Sequence, residues 1–268
     1  MARIALVTGT STGIGRACAL HLAQRGFEVL AGVRDEADAP PGLEPLRLDV
    51  TSEVDIAAAA QRVGPRLDAL VNNAGIAVNG PIEVLPIEQW RRQLEINVIG
   101  QVAVIRALLP ALLSARGRIV NISSISGKFA LPLVGPYTAS KFAIEAVSDS
   151  LRREVGPQGV HVACVEPGAI ATPVWGKSRA EGELLVESMP AVARRRYDTL
   201  INALRREAAR MERDGLPPEK VAEAVGHALT ASRPRTRYIV GRDARVRAVL
   251  ARVLPDRALD ALVRRAFT

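Results

Sequence analysis

The chain has 268 residues, 48% hydrophobic and 24% charged, enough apolar material to bury a full core as one large α/β domain or two small ones. Two cysteines, Cys18 and Cys164, are too few for a disulfide scaffold, and three scattered histidines lack ligand spacing, so neither a stapled fold nor a zinc centre is expected. The formal net charge of +8 invites a nucleic-acid or membrane-surface partner, but the excess is arginine interleaved with acids, as in LRREAARMERD, and aromatic residues reach only 3%.

RIALVT opens the chain as a strand, with no secretory leader before it, which gives the expectation of a cytoplasmic protein. The strand ends in TGTSTGIG, from Thr8 to Gly15, and a helix from Gly13 to Arg25 follows at once. Gly9, Gly13 and Gly15 let the backbone turn tightly and aim its N–H groups and the helix N-terminus at a pyrophosphate; the spacing is G-x-x-x-G-x-G. Next come the strands FEVLAGV and LEPLRLDV, a helix from Glu53 to Val63, and the strand LDALVNN.

A long helix is predicted from Pro86 to Ala115; its apolar stretch is interrupted by Arg106 and Pro110 and is expected to fall short of a membrane span. The strand GRIVNIS, a helix from Pro136 to Val155 and the strand VHVACVEP complete the regular alternation. Residues 171–215 then form a largely helical insertion, of the kind that builds a ligand crevice at the carboxyl ends of strands. TRYIV is the seventh strand, and residues 241–268 make a basic C-terminal extension that reads as a cap over the cleft, an oligomer contact or an interfacial helix. Near-continuous apolar strands alternating with helices predict a parallel, doubly wound α/β sheet with both faces covered, in a single domain spanning 1–268.

The helix YTASKFAIEAVSDSLRREV places Tyr137 and Lys141 one turn apart on one face. A phenol is a poor base at neutral pH, with a pKa of roughly 10, and an adjacent ammonium favours the phenolate by charge proximity. Hydride transfer to or from a carbonyl carbon requires such a proton donor or acceptor at the oxygen.

These motifs resemble the short-chain dehydrogenase/reductase family in order: TGxxxGIG at Thr8–Gly15, Asp49-Val50, Asn72-Asn73-Ala74-Gly75, Asn97, Ser124 thirteen positions before Tyr137, Lys141, and Pro167-Gly168 with Ile170 and Thr172. The resemblance implies a Rossmann fold and a catalytic group of Asn97, Ser124, Tyr137 and Lys141. In it, Tyr137 is the acid/base and Lys141 also bonds the nicotinamide ribose; Ser124 positions the substrate oxygen and Asn97 holds a water linking Lys141 to solvent. The cofactor would be held by Gly9, Ser11, Thr12, Gly13, Ile14, Gly15, Asp49, Val50, Asn73, Ala74, Gly75, Tyr137, Lys141, Pro167, Gly168, Ile170 and Thr172.

By alignment with the family, the residue that selects the cofactor is the neutral Val33, followed by Arg34, which favours NADP(H) over NAD(H) because a guanidinium binds a 2′-phosphate. The other reading pairs Arg34 with Asp35 or Glu36 and leaves NAD possible. Within the family the chain resembles the 17β-hydroxysteroid and retinol dehydrogenase branch more than the 3-oxoacyl-carrier-protein reductases. Ile125, Phe129, Leu131, Leu133, Val134, Val174 and Trp175 suggest an apolar pocket for a bulky alcohol or ketone, with steroid, retinoid, polyketide and terpenoid all open. Pairing of the Pro86–Ala115 and Pro136–Val155 helices into a homodimer or homotetramer is also implied. A cofactor-sensing regulator and a membrane-surface binder remain as alternatives from other classes.

Overall fold

A computed structural model describes residues 2–267; Met1 and Thr268, which the single-domain reading includes, lie outside the described residues. Seven strands, β1 (Arg3–Thr8), β2 (Phe27–Val33), β3 (Glu44–Arg47), β4 (Ala69–Asn72), β5 (Arg118–Ile122), β6 (His161–Pro167) and β7 (Arg237–Val240), form one sheet in the order β3-β2-β1-β4-β5-β6-β7. Every neighbouring pair is parallel. The sheet is the doubly wound Rossmann arrangement expected.

Alternate residues of a strand face opposite sides, and both sides of this sheet are covered. Ala5 and Val7 of β1, with Val71, Val120 and Val165, pack beneath α1 (Gly13–Gln24) and α8 (Glu219–Thr230). Leu6, Leu70 and Ile119 point the other way, onto α2 (Glu53–Val63), α4 (Gly100–Ala115) and α5 (Gly135–Val155). Strand order reverses between β1 and β4, so the connections that leave their carboxyl ends run to opposite faces of the sheet and a crevice opens between them.

The predicted helix from Pro86 to Ala115 forms as one helical run, Ile87–Ala115, but not with a uniform hydrogen-bonding pattern. It divides into α3 (Ile87–Leu94), a π-helical turn at Glu95–Ile99, and α4. Side chains on this stretch strap the segment after β4: Gln93 Oε1 accepts from Val78 N at 2.7 Å, and Asn97 Oδ1 accepts from Ile76 N at 2.9 Å. The wider turn aims Asn97 at that segment, and π-turns of this sort recur at functional sites. The Ile87–Ala115 run also corrects the expected shortfall: by length and composition it is apolar enough to cross a membrane, because α4 continues through Pro110 and Arg106 is a single charge. In this fold it supplies core residues, with Val104, Ile105, Leu108 and Leu112 buried against the sheet.

The insertion forms α6 (Val174–Ser188) and α7 (Ala191–Asp214), and its two ends are tied together. Ala171 N donates to Leu216 O at 3.0 Å and Leu216 N to Ala169 O at 2.9 Å. The C-terminal extension is helical, as α9 (Arg242–Val253) and α10 (Asp256–Phe267). It folds back over the segment after β5, where Ala244, Ala248, Leu259 and Val263 enclose Ile125 and Phe129.

Candidate active site

At the carboxyl ends of β1 and β4 the glycine loop and the NNAG segment are locked to each other. Thr8 Oγ1 accepts from the backbone of Asn73 and Ala74, both at 2.9 Å, while Asn73 Nδ2 donates to the carbonyls of Thr8 and Gly9, both at 3.0 Å. Gly9 and Gly13 have φ of 69° and 57°, a region that glycine enters without strain. A Cβ on Gly9 would lie 2.9 Å from Ala74 Cα. Thr12, the residue before α1, makes no capping bond with its hydroxyl, which leaves that donor available beside the helix N-terminus.

The cleft above these elements has a volume of about 390 Å³, and it is lined by every residue expected to hold the cofactor except Gly15. Gly15 lies beneath the wall instead: a Cβ there would overlap Gly9 O and Asn73 Nδ2, so its place is in the packing of helix on loop. Val33 and Arg34 sit at the end of β2 on the same cleft. Arg34 is exposed, and among the described residues it makes no ion pair with Asp35, whose side chain instead accepts from Ala37 N, or with Glu36. Burial pushes the Asp49 carboxyl up, but two hydrogen bonds from Thr51 and the nearby charge of Arg34 outweigh it and hold the group below its usual value. A dinucleotide with its phosphates at α1 and its adenosine end at Arg34 and Asp49 fits this donor set.

Deeper in the cleft stand Asn97, Ser124, Tyr137 and Lys141. Ser124 follows β5, and its Oγ accepts from Ser126 N at 3.1 Å. Tyr137 is held half-buried at the start of α5, with its ring edge-on to Trp175 at 6.5 Å between centroids. Trp175 is itself pinned by a bond from Nε1 to Ile170 O at 3.0 Å. Lys141 is 5% exposed and donates to Ile122 O at 2.8 Å.

Lys141 Nζ lies 5.6 Å from the centre of the Tyr137 ring. Burial raises the Tyr137 phenol above its usual value, and a hydrogen bond with Ser124 only partly opposes this. Burial also pulls Lys141 down to about 8. Asn97 is fully buried with its side chain committed to Ile76, donating to that carbonyl at 3.0 Å and accepting from that amide at 2.9 Å.

A second cavity, of about 100 Å³, opens on the far side of Tyr137. Ser124, Tyr137, Gly168, Trp175 and Ser178 line both spaces, so a phenol and a serine hydroxyl stand in the partition between the cleft at the strand ends and a more apolar cavity. The family model for short chain dehydrogenases matches residues 3–183. The chain belongs to the short-chain dehydrogenase family.

Its relatives include an NADPH-dependent 3-dehydrocapnine reductase of Ornithobacterium rhinotracheale, 35% identical over 96% of this chain and 95% of that protein. Mouse retinol dehydrogenase 5 is 39% identical over 96% of this chain and 86% of that protein. Among solved structures, a short chain dehydrogenase from Burkholderia cenocepacia in complex with NADP superposes with a TM-score of 0.76 at 29% identity, covering 100% of this chain and 98% of that one. This short-chain dehydrogenase lies in the retinol dehydrogenase-like branch and is an oxidoreductase of CH–OH groups with a nicotinamide cofactor.

The second cavity of the short-chain dehydrogenase is lined by Ile125, Leu131, Leu133, Val134 and Trp175. Two expected residues are elsewhere. Val174 lines the nucleotide cleft instead, because successive helix residues point about 100° apart, 3.6 to the turn. Phe129 is packed into the cluster under α9. Missed by the sequence reading were the α6 and α7 side chains, among them Leu185, Ile201, Leu204 and Met211, together with a charged set: Arg179, Glu183, Arg205, Glu207 and Arg247. The spacing of Ile201, Leu204, Ala208 and Met211 carried the signal, since these positions fall on one helical face.

Behind Lys141 the short-chain dehydrogenase buries an ionic cluster. Lys128 Nζ is 3.2 Å from Glu166 and 3.5 Å from Glu145, and Arg237 Nε is 3.3 Å and 3.0 Å from the same two carboxylates. Burial pushes Glu166 up to about 7; the charge of Glu145 adds to this and those of Lys128 and Arg237 oppose it. The folded state therefore holds a proton that the unfolded state releases near 4.5, so stability falls as pH rises from about 4.5 to about 7. The slope is at most about 1.4 kcal/mol per pH unit for one group. Thermal melts across that window should show a shallower slope in Glu166→Gln than in the wild type, and equal slopes would contradict this origin.

Proposed function

We propose that the enzyme is an NADP(H)-dependent oxidoreductase that interconverts a hydrophobic secondary alcohol and its ketone. The observation that carries this reading is the partition in which Ser124 and Tyr137 face both the nucleotide cleft and the apolar cavity. A bound nicotinamide supplies or accepts the hydride. Tyr137 Oη gives or takes the proton at the substrate oxygen, and Ser124 Oγ orients that oxygen against it. Lys141 holds the cofactor ribose and adds positive charge behind the phenol. Asn97 has its side chain tied to Ile76 and Ser140, and in the family resemblance this residue holds the water that links Lys141 to solvent.

Preference for NADP(H) is supported by the neutral Val33 and by Arg34, exposed at the cleft and unpaired with its neighbouring acids. It is also in keeping with an NADPH-dependent relative and an NADP-bound structural neighbour. The hydrophobic substrate class is supported by the aliphatic cavity wall and by relatives named as retinol dehydrogenases.

NADPH oxidation against a panel of hydrophobic ketones tests the reaction, and no turnover of any member would defeat it. Arg34→Ala is expected to weaken NADPH binding by roughly tenfold to a hundredfold, the worth of one charge-assisted contact, while NADH binding changes little. Equal losses for both cofactors would contradict the 2′-phosphate contact. The resemblance also implies a dimer or tetramer across α4 and α5, where Phe142 is 46% exposed. Analytical ultracentrifugation reads that state directly, and a monomer would refute it.

A further inference from the structure

The substrate cavity carries charges for which proton and hydride transfer have no use, and their pairing is unequal. Arg205 grips both oxygens of Glu183, with Nε at 2.8 Å, and gives Nη1 to Asn202 at 2.9 Å. Arg179 meets Glu212 at 3.0 Å. Glu207, by contrast, serves two arginines. Arg210 takes both its oxygens, at 2.9 Å and 2.8 Å, and Arg247 reaches the same Oε1 at 3.0 Å. Asp243, the acid nearest in sequence on α9, accepts from Ala169 N at 3.0 Å.

Arg210 and Glu207 already form a two-point pair, which leaves the Arg247 guanidinium with a single shared contact through Nη2. Among the described residues its Nε and Nη1 have no partner, although the side chain is only 26% exposed. A partly desolvated guanidinium with two donors free is a strong site for an oxyanion, whose paired oxygens match its fork. Arg247 comes from the C-terminal extension, and it lines the same cavity as Tyr137, Leu131 and Leu133. Glu207 and Arg247 both lie beyond residue 183, where the family match ends.

We propose that the physiological substrate is an amphiphile: an apolar body bearing the alcohol or ketone, with an anionic group, such as a carboxylate or sulfonate, held by Arg247. This deepens the oxidoreductase reading and rests on it. The apolar portion lies along Leu131, Leu133, Val134 and Leu185, the reacting carbon faces Tyr137, and the oxyanion takes the open Nε and Nη1 of Arg247 while Glu207 stays with Arg210.

The test uses NADPH with a series of medium- and long-chain oxo fatty acids, each measured beside its methyl ester. The acid is expected to exceed the ester in kcat/KM by about tenfold or more, the worth of a charge-assisted hydrogen bond. Arg247→Met retains the apolar stem and should bring that ratio towards one, whereas Arg247→Lys should restore part of it. Melting curves show whether each variant is folded. An acid-to-ester ratio near one in the wild type overturns the proposal, as does Arg247→Met lowering both members equally, which would mark Arg247 as a tie between α9 and α7. In those cases turnover of the esters leaves the oxidoreductase reading standing; turnover of neither member rejects this substrate class, and the wider ketone panel then decides the reading itself.

Discussion

Tyr137→Phe is expected to leave a folded protein that binds NADP(H) normally and turns over about two to four orders of magnitude more slowly, the range for loss of a general acid or base. Phenylalanine keeps the ring that packs edge-on against Trp175, so the wall between the two cavities should stand. Only the hydroxyl disappears, and with it the hydrogen bond with Ser124. Because burial holds the phenol above its usual value in the protein alone, its protonated form dominates at neutral pH. That favours proton donation, the step a ketone reduction needs. Steady-state kcat together with a cofactor fluorescence titration checks the prediction, and a kcat within a few fold of wild type would remove Tyr137 from the chemistry.

The parts of this site readable from the sequence are those fixed by backbone geometry at strand ends. TGTSTGIG, NNAG and EPGAIAT each follow a strand of a parallel sheet, and doubly wound topology brings such ends to one crevice. This is why residues as distant as Gly9, Asn73 and Thr172 line a single cleft. Gly15 shows the limit of that inference, since a motif glycine can be required by packing beneath the surface and touch nothing above it. The substrate side was less legible because it depends on the rotational phase of helices and on where an insertion lies over the sheet. One step along α6 separates Val174, on the nucleotide cleft, from Trp175, on both spaces. Arg247 was legible only as part of an extension for which a cap over the cleft was one of three readings, and it is the fold-back of α9 over the segment after β5 that brings it to the cavity. The π-turn at Glu95–Ile99 was hidden for a related reason: the side-chain straps of Asn97 and of Gln93 just before it reach a loop 21 and 15 positions earlier, and local periodicity does not register them.

Lys141→Met is expected to separate the two functions assigned to this lysine from the role of Tyr137. Methionine is unbranched and of similar length, so it can occupy the buried channel of a side chain that is 5% exposed. The substitution removes an ammonium whose burial is unfavourable enough to pull it down to about 8, and it strips the Ile122 carbonyl of a 2.8 Å donor. These effects oppose each other, so thermal stability should stay close to wild type. Cofactor affinity should nevertheless fall by about tenfold to a hundredfold, the worth of a charged hydrogen bond to a ribose hydroxyl. Turnover should fall as well, because the positive charge behind the phenol is lost. Tyr137→Phe spares binding and Lys141→Met does not, so the comparison of Kd with kcat distinguishes a proton donor from a group that both holds the ribose and tunes the donor. Unchanged cofactor affinity in a folded Lys141→Met variant would contradict the ribose contact even if activity were abolished, and would confine Lys141 to its electrostatic effect on Tyr137.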